Sequence, residues 1–302
     1  MNDMAALLWT AALVTLLYAP VTIGLAVAFR LLNYPDLTCE GSFIVGGALS
    51  FVALQAGLPP ILSLVVALVG GMAAGAFTGW LHTQLRVSRL LSGIITAAIL
   101  YSLTMRLLGG RANRWIATGT VFDTIHLKNT SIGDFIVAGL IAYLVLVLCA
   151  FLYVSHFGRV LRALGDQEWF CVSLGKNPAT LLIAGLSISN ALIALSGAIL
   201  MQFKHVCDVN MGSGVLISAL AGLVLGETVH SARSVWGHTV MCVVGTGIYN
   251  IALGAFYFDW ELGIERFILP SDVRLVTGLL LIIPALILLR VKGRYRLFNS
   301  SW

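Results

Sequence analysis

The segment 158–178, GRVLRALGDQEWFCVSLGKNP, holds the residues whose types and spacing are most informative. Asp166 can cap a helix N-terminus, and Glu168 places a carboxylate in the first turn, where the helix dipole favours it. Gly175 fits the position just after a helix, and a proline three residues later blocks continuation. The pattern predicts a helix over 166–175, which at about two turns is too short to be stable alone in water. This helix must therefore pack against something else.

Two aromatic side chains, Trp169 and Phe170, lie inside that predicted helix. They suit anchors that enter a groove on a cytosolic protein. A connector helix at the membrane interface, with its tryptophan at the level of the lipid headgroups, fits the same spacing. The spacing alone leaves both interpretations open.

Composition defines the class of protein that must position this segment. The chain has 302 residues, of which 59% are hydrophobic and 10% are charged, and its mean hydropathy is +0.96. A soluble domain has about 25% charged residues. The sequence therefore predicts an all-α polytopic membrane protein, with residues 1–302 forming one transmembrane domain.

Apolar runs predict eight or nine transmembrane segments, since a span needs about 20 residues. Two of the runs are short and rich in glycine, which predicts broken or re-entrant helices at 41–58 and 214–229. The runs cover 5–29, 41–58, 60–81, 90–109, 134–156, 180–201, 214–229, 235–258 and 274–290.

The distribution of basic residues predicts the orientation. Basic residues are enriched on the cytoplasmic side of membrane proteins. If segment 158–178 is cytoplasmic, the N-terminus lies outside and the C-terminus lies inside. A basic cluster at an outer loop, Arg106, Arg111 and Arg114, is the exception to this enrichment. The cytoplasmic side then holds 11 of the 18 Lys and Arg residues, namely Arg30, Arg86, Arg89, Arg159, Arg162, Lys176, Arg233, Arg290, Lys292, Arg294 and Arg296.

Several other functions lack their sequence signals. Gly175-Lys176 is followed by Asn177 and has no glycine five residues before it, so the chain has no Walker A loop. If transport is driven by ATP, the ATPase is therefore a separate subunit. The six histidines and five cysteines show no metal-ligand spacing, and no catalytic motif is present, so we expect no metal site and no enzyme. The net charge of +5 is better explained by loops facing anionic lipid than by nucleic acid.

The 158–178 segment resembles the cytoplasmic coupling segment of ABC-importer permeases of the branched-chain amino acid and ribose type. The matching residues are Gly158-Arg159, Arg162-Ala163-Leu164-Gly165-Asp166 and Leu174-Gly175-Lys176-Asn177. The similarity extends to Pro35-Asp36-Leu37-Thr38, Glu40-Gly41-Ser42, Ser187-Ile188-Ser189-Asn190-Ala191-Leu192, Leu195-Ser196-Gly197-Ala198, Asp208-Val209-Asn210-Met211-Gly212 and Gly226-Glu227.

This resemblance implies a permease in a bacterial plasma (inner) membrane, paired as a homodimer or with a related subunit. Two ATP-binding subunits, which bind ATP and Mg, would drive it from the cytosol, and an extracytoplasmic binding protein would deliver a small organic solute, with an amino acid favoured over sugars and nucleosides. The residues implied in coupling to the ATPase are Arg159, Arg162, Gly165, Asp166, Glu168, Trp169, Phe170, Gly175 and Asn177.

An ion-coupled secondary transporter or channel that acts without an ATPase is the alternative. Such transporters usually need ionisable groups near the membrane midplane. The predicted span interiors hold almost none, which favours an external source of energy.

Two short internal sequence similarities predict inverted-topology repeats, whose glycine-interrupted segments flank the transport path. They pair Asp36-Leu37 and Gly41-Ser42 with Asp208-Val209 and Gly212-Ser213, and Gly75-Ala76-Phe77 with Gly254-Ala255-Phe256. Polar residues in apolar spans line a cavity or bond to a partner helix. The candidates for the path are Thr96, Tyr101, Ser102, Ser187, Ser189 and Asn190, and Asp208, Asn210 and Met211 are candidates for contact with the binding protein.

Overall fold

A computed structural model describes residues 3–124, 130–229, 235–261, 278 and 282. Its α-helices are α1 (Asp3–Ala26), α2 (Cys39–Gln55), α3 (Pro60–Thr83), α4 (Arg89–Leu107), α5 (Thr130–Val154), α6 (His156–Asp166), α7 (Glu168–Ser173), α8 (Pro178–Lys204), α9 (Val215–Val229) and α10 (Val235–Glu261). A π-helix (Val27–Leu31) extends α1, and 3₁₀ turns cover Phe122–Thr124 and Val209–Gly212. Two strands, β1 (Asn113–Trp115) and β2 (Val206–Asp208), pair antiparallel.

The helices confirm the prediction of an all-α polytopic membrane protein. Among the described residues, six helical segments are long and apolar enough to cross a membrane, and two shorter apolar helices, Cys39–Gln55 and Thr239–Ala255, accompany them. The first of these, α2, has 17 residues and is about 26 Å long, less than the roughly 30 Å hydrocarbon layer. It is therefore the short segment that the sequence predicted. The predicted span 274–290 lies outside the described residues, apart from two positions.

The central element of the bundle is α8, and it packs against α1, α2 and α3. Glycines allow this close approach, because a Cβ at Gly24, Gly46 or Gly71 would overlap the backbone of α8. Small residues at helix interfaces are the usual means of packing helices in a membrane, where apolar burial between helices gains little. The small residues thus bring polar groups of neighbouring helices within reach of α8.

The outer surface of the bundle is apolar. On α5 the exposed side chains include Leu140, Leu144 and Phe151, with exposed fractions of 67%, 65% and 74%. On α3 the exposed set includes Ile61 and Val69. Apolar surfaces of this kind face lipid or another membrane subunit.

The coupling segment differs from its prediction in one respect. Instead of a helix over 166–175, the chain forms α6 and then α7, separated by Gln167 in an extended conformation (φ −154°, ψ 109°). Asp166 therefore ends α6 and does not cap the next helix. The reason is that Ser155 caps α6 by accepting a hydrogen bond from the Gly158 N–H, and the apolar face of α6 is buried, which extends helix through 156–166.

Candidate functional site

Apolar side chains are exposed on the short helix α7 and at the residue directly after it, Leu174. Trp169, Val172 and Leu174 have exposed fractions of 66%, 59% and 53%. On the opposite side, the fully buried thiol of Cys171 lies 3.8 Å from the Val160 carbonyl oxygen of α6 and fixes α7 on that helix. Burial raises the pKa of this thiol, and the nearby Glu168 carboxylate raises it further. One face of α7 is thus packed, and the other offers an apolar surface.

The end of α7 is fixed by glycine, as the sequence predicted. Gly175 has φ +69°, its N–H donates to the Val172 carbonyl at 2.9 Å, and the Lys176 N–H donates to the Cys171 carbonyl at 3.0 Å. This is a Schellman motif, which needs a left-handed residue at that position. The side chain of Asn177 then caps α8 by accepting a hydrogen bond from the Ala179 N–H at 3.0 Å.

The residues of α6 that were predicted to couple to the ATPase hold this helix against α5 and the π-helix. A guanidinium N–H of Arg159 donates to the Val154 carbonyl at 3.0 Å, and the guanidinium of Arg162 lies 6.0 Å from the ring centre of Tyr153. A Cβ at Gly165 would overlap the carbonyl oxygen of Leu31, so this glycine is in direct contact with the π-helix. The side chain of Phe170 lies outside the described part of the structure.

A cleft of about 540 Å³ separates α6 and α7 from the ends of α3 and α4. Asp166 and Glu168 lie on one wall, and His82 and Arg89 lie on the other. The cleft leaves one side of the α6–α7 segment without packing against α3 and α4. The lining of this cleft therefore holds both acidic and basic side chains beside the predicted coupling helix.

A buried polar cluster lies where α8 meets the chain that enters α2. The Asn190 side-chain amide donates to the Asp36 carboxylate at 2.7 Å and to the Leu186 carbonyl at 3.0 Å, and its oxygen accepts from the Ser42 hydroxyl at 2.6 Å. Asp36 also accepts from the Thr38 N–H at 2.8 Å. Asn190 and Asp36 are both fully buried. The amide thus satisfies the carboxyl and links α2 to α8.

The other path candidates are not gathered around this cluster. Ser189 bridges helices by donating to the Gly24 carbonyl of α1 at 2.8 Å. Thr96, Ser102 and Ser187 donate to carbonyls of their own helices, and Tyr101 is 48% exposed on α4. The six residues therefore lie in distinct environments, two of them bridging helices.

The two glycine-rich segments predicted to flank a path do meet. The Gly214 N–H, just before α9, donates at 2.9 Å to the carboxylate of Glu40 in the first turn of α2. A carboxylate at a helix N-terminus is stabilised by the helix dipole, and here it serves the starts of two helices. This junction joins α2 to α9, whereas the inverted repeat itself stays a prediction.

The ribbon formed by β1 and β2, with the turn that follows it, carries the residues predicted to contact a binding protein. The Asp208 carboxylate accepts from the Asn210 N–H at 2.7 Å, and Asn210 is exposed. Met211 is partly buried and packs into the core beside Gly47. Trp115, 75% exposed on β1, was missed from the sequence because its exposure depends on the pairing of β1 with β2.

Comparison with known proteins places this chain in a family. Residues 7–285 match the family described as branched-chain amino acid transport system / permease component. The chain belongs to this permease family. It is 31% identical to a tyrosine transport system permease protein of Clostridioides difficile, over 89% of this chain and 86% of that protein. An autoinducer 2 import system permease protein LsrC of Yersinia enterocolitica is 31% identical over 58% of this chain and 48% of its own length.

A solved structure has the same fold. The chain matches PsaBC from Streptococcus pneumoniae in complex with Fab, with a TM-score of 0.52 and 14% sequence identity, over 94% of this chain and 91% of that chain. At that identity the match concerns the fold alone.

The family assignment decides between the two function classes that the sequence left open. The protein is a multi-pass membrane permease of an ABC importer for small solutes and is a transport component, not an enzyme. Permeases of this family work with ATP-binding and substrate-binding partners. An importer subunit thus replaces the alternative of a transporter acting alone.

Proposed function

We propose that this permease imports an amino acid or a related small organic solute across the bacterial inner membrane, as a homodimer with its N-terminus outside and its C-terminus in the cytoplasm. ATP-binding subunits, which hold ATP and Mg, close on α7 from the cytosol. An extracytoplasmic binding protein contacts the ribbon of β1 and β2, which lies on the outer side of the membrane, around Asp208 and Asn210. The path runs beside α2, α8 and α9, and Asn190 is its leading candidate residue.

The observation that carries this proposal is the surface of α7. Trp169 and Val172 on this six-residue helix, and Leu174 directly after it, are large apolar side chains that are more than half exposed. Large apolar side chains around a tryptophan are typical contacts in protein interfaces. The Schellman motif at Gly175 and the Cys171 contact hold that surface rigidly, which suits the transmission of force.

An amino acid is favoured as cargo because a relative that aligns over 89% of this chain is named for tyrosine transport. Other relatives are named for autoinducer 2 import, so cargo varies among similar permeases. We therefore expect the binding protein to select the solute, and labelled tyrosine is the first probe to test.

The test uses proteoliposomes that contain the permease with its ATP-binding subunits and binding protein. We expect labelled tyrosine to accumulate with ATP, and Trp169→Ala to weaken binding of the ATP-binding subunits about 30-fold, the effect of losing about 2 kcal/mol at an interface hot spot. Binding is measured by titrating the labelled ATP-binding subunit onto immobilised permease.

The matched control is Trp115→Ala, an equally exposed tryptophan at the other end of the bundle. It should leave binding of the ATP-binding subunits unchanged. Equal binding by the Trp169→Ala and wild-type permeases would exclude α7 as the docking helix. Tyrosine uptake driven by an ion gradient without ATP would contradict the importer function.

A further inference from the structure

The π-helix Val27–Leu31 lies between the coupling segment and α9. It begins directly after α1, and the Leu32 N–H donates to the Val27 carbonyl five residues back at 3.2 Å. Such turns are rare and are frequent at functional sites. Two adjacent residues of this turn, Arg30 and Leu31, contact different helices.

On the cytoplasmic coupling side, the π-helix packs against α6. Gly165 contacts the carbonyl of Leu31, and Leu161 is fully buried in the same apolar cluster as Leu31. Because Gly165 lies directly against the Leu31 carbonyl, no space remains between α6 and the π-helix. A shift of α6 towards the π-helix must therefore displace the π-helix. Since α7 packs on α6 through the buried Cys171, a push on α7 reaches Leu31 through α6 and Gly165.

On its other side, the π-helix is linked to α9 by an ion pair. A guanidinium N–H of Arg30 donates to the carboxylate of Glu227, and the two side chains are 31% and 18% exposed. Within the described part of the chain, the buried Nε of Arg30 makes no hydrogen bond. The guanidinium is therefore bound to α9 through its terminal nitrogen.

The far end of this link is a rigid unit. Cβ atoms at Gly222 and Gly226 would overlap α10, so α9 and α10 are in backbone contact. At its start, α9 is joined to α2 by the hydrogen bond from Gly214 to Glu40. A displacement at Glu227 is thus carried along α9 to its junction with α2.

We propose that the Arg30–Glu227 ion pair passes the movement of α6 and α7 to α9. This inference rests on the proposed function, since the movement comes from the ATP-binding subunits. Arg30 and Glu227 are positioning residues, because they act through the helices and not by touching the cargo. Contact between α6 and α8 offers a competing route, which charge changes at Arg30 and Glu227 leave intact.

The experiment compares Arg30→Glu, Glu227→Arg and the double exchange, each captured through a tagged ATP-binding subunit so that only assembled complexes are measured. The readout is tyrosine transported per ATP hydrolysed. We expect each single reversal to lower this ratio about tenfold, within the usual range of coupling between sites, and the double exchange to restore most of it. Arg30→Lys, which keeps the charge, should retain most of the coupling. Arg111→Glu makes the same charge change on the exposed outer loop and should have no effect.

A second readout needs no cargo. Spin labels at Gln167→Cys and Val229→Cys report the distance between the coupling segment and α9, and all five native cysteines are buried, which keeps background labelling low. In the wild-type complex this distance distribution should change with ATP and vanadate, and the change should be lost in the single reversals and regained in the double exchange. An unchanged ratio in the single reversals, or a double exchange no better than either single, would overturn the relay. If tyrosine is not transported by the wild-type complex, the cargo assignment fails, and the spin-label result still decides the relay.

Discussion

Replacement of Asn190 by alanine tests the buried polar cluster most directly. The substitution removes three hydrogen bonds, to the Asp36 carboxylate, the Ser42 hydroxyl and the Leu186 carbonyl. The bonds to Asp36 and Ser42 join separate segments, and bonds between membrane helices contribute about 0.6 kcal/mol each on average, which gives a loss of roughly 1 kcal/mol. Asp36 is fully buried, and leaving its carboxyl without the amide adds about 1–3 kcal/mol.

We therefore expect Asn190→Ala to lower the free energy of unfolding by about 2–4 kcal/mol, equivalent to a fall of roughly 5–10 °C in the melting temperature. The measurement is thermal unfolding of the purified permease in detergent, followed by size-exclusion chromatography of the remaining folded fraction. The matched control is Ser187→Ala on the same helix, because Ser187 donates within its own helix, to the Ile183 carbonyl. It should change the melting temperature little.

Equal melting temperatures for the two variants would refute the reasoning, since they would mean that the links from Asn190 to Asp36 and Ser42 contribute nothing beyond a bond within one helix. A stable Asn190→Ala variant that has lost transport would instead assign Asn190 to the path alone.

Two further changes test the packing of the coupling segment. Gly165→Ala should destabilise the permease by roughly 1–3 kcal/mol, since the new methyl group overlaps the Leu31 carbonyl, whereas Gly119→Ala enters open space and should be neutral in the same thermal assay. Cys171 should react slowly with maleimide at pH 7.5 and faster as the pH rises, because its pKa is raised and the thiolate reacts. Leu174→Cys on the exposed face should label rapidly at the same pH, and equal rates for the two thiols would contradict the packing of α7.

Helix class and approximate boundaries could be predicted because long apolar runs have few alternatives in a membrane. Predicted spans 60–81 and 90–109 correspond to α3 (Pro60–Thr83) and α4 (Arg89–Leu107). The end of α7 could also be predicted from local sequence, because a glycine just after a helix adopts the left-handed conformation that ends it. The start of α7 was missed, because Ser155 and the buried face of α6 extended helix through residues that cap well on their own.

The sequence by itself determined the class of protein, and it predicted the coupling segment and the polar residues of the path. Composition and hydrophobic periodicity are local properties that a few turns of helix define, so they can be read directly from the sequence. Only the tertiary structure decided the partners of those residues. Asn190 meets Asp36 across 154 positions, and Arg30 meets Glu227 across 197. Such pairs depend on how glycine-rich helix surfaces pack together, and no local pattern in the chain specifies which surface meets which.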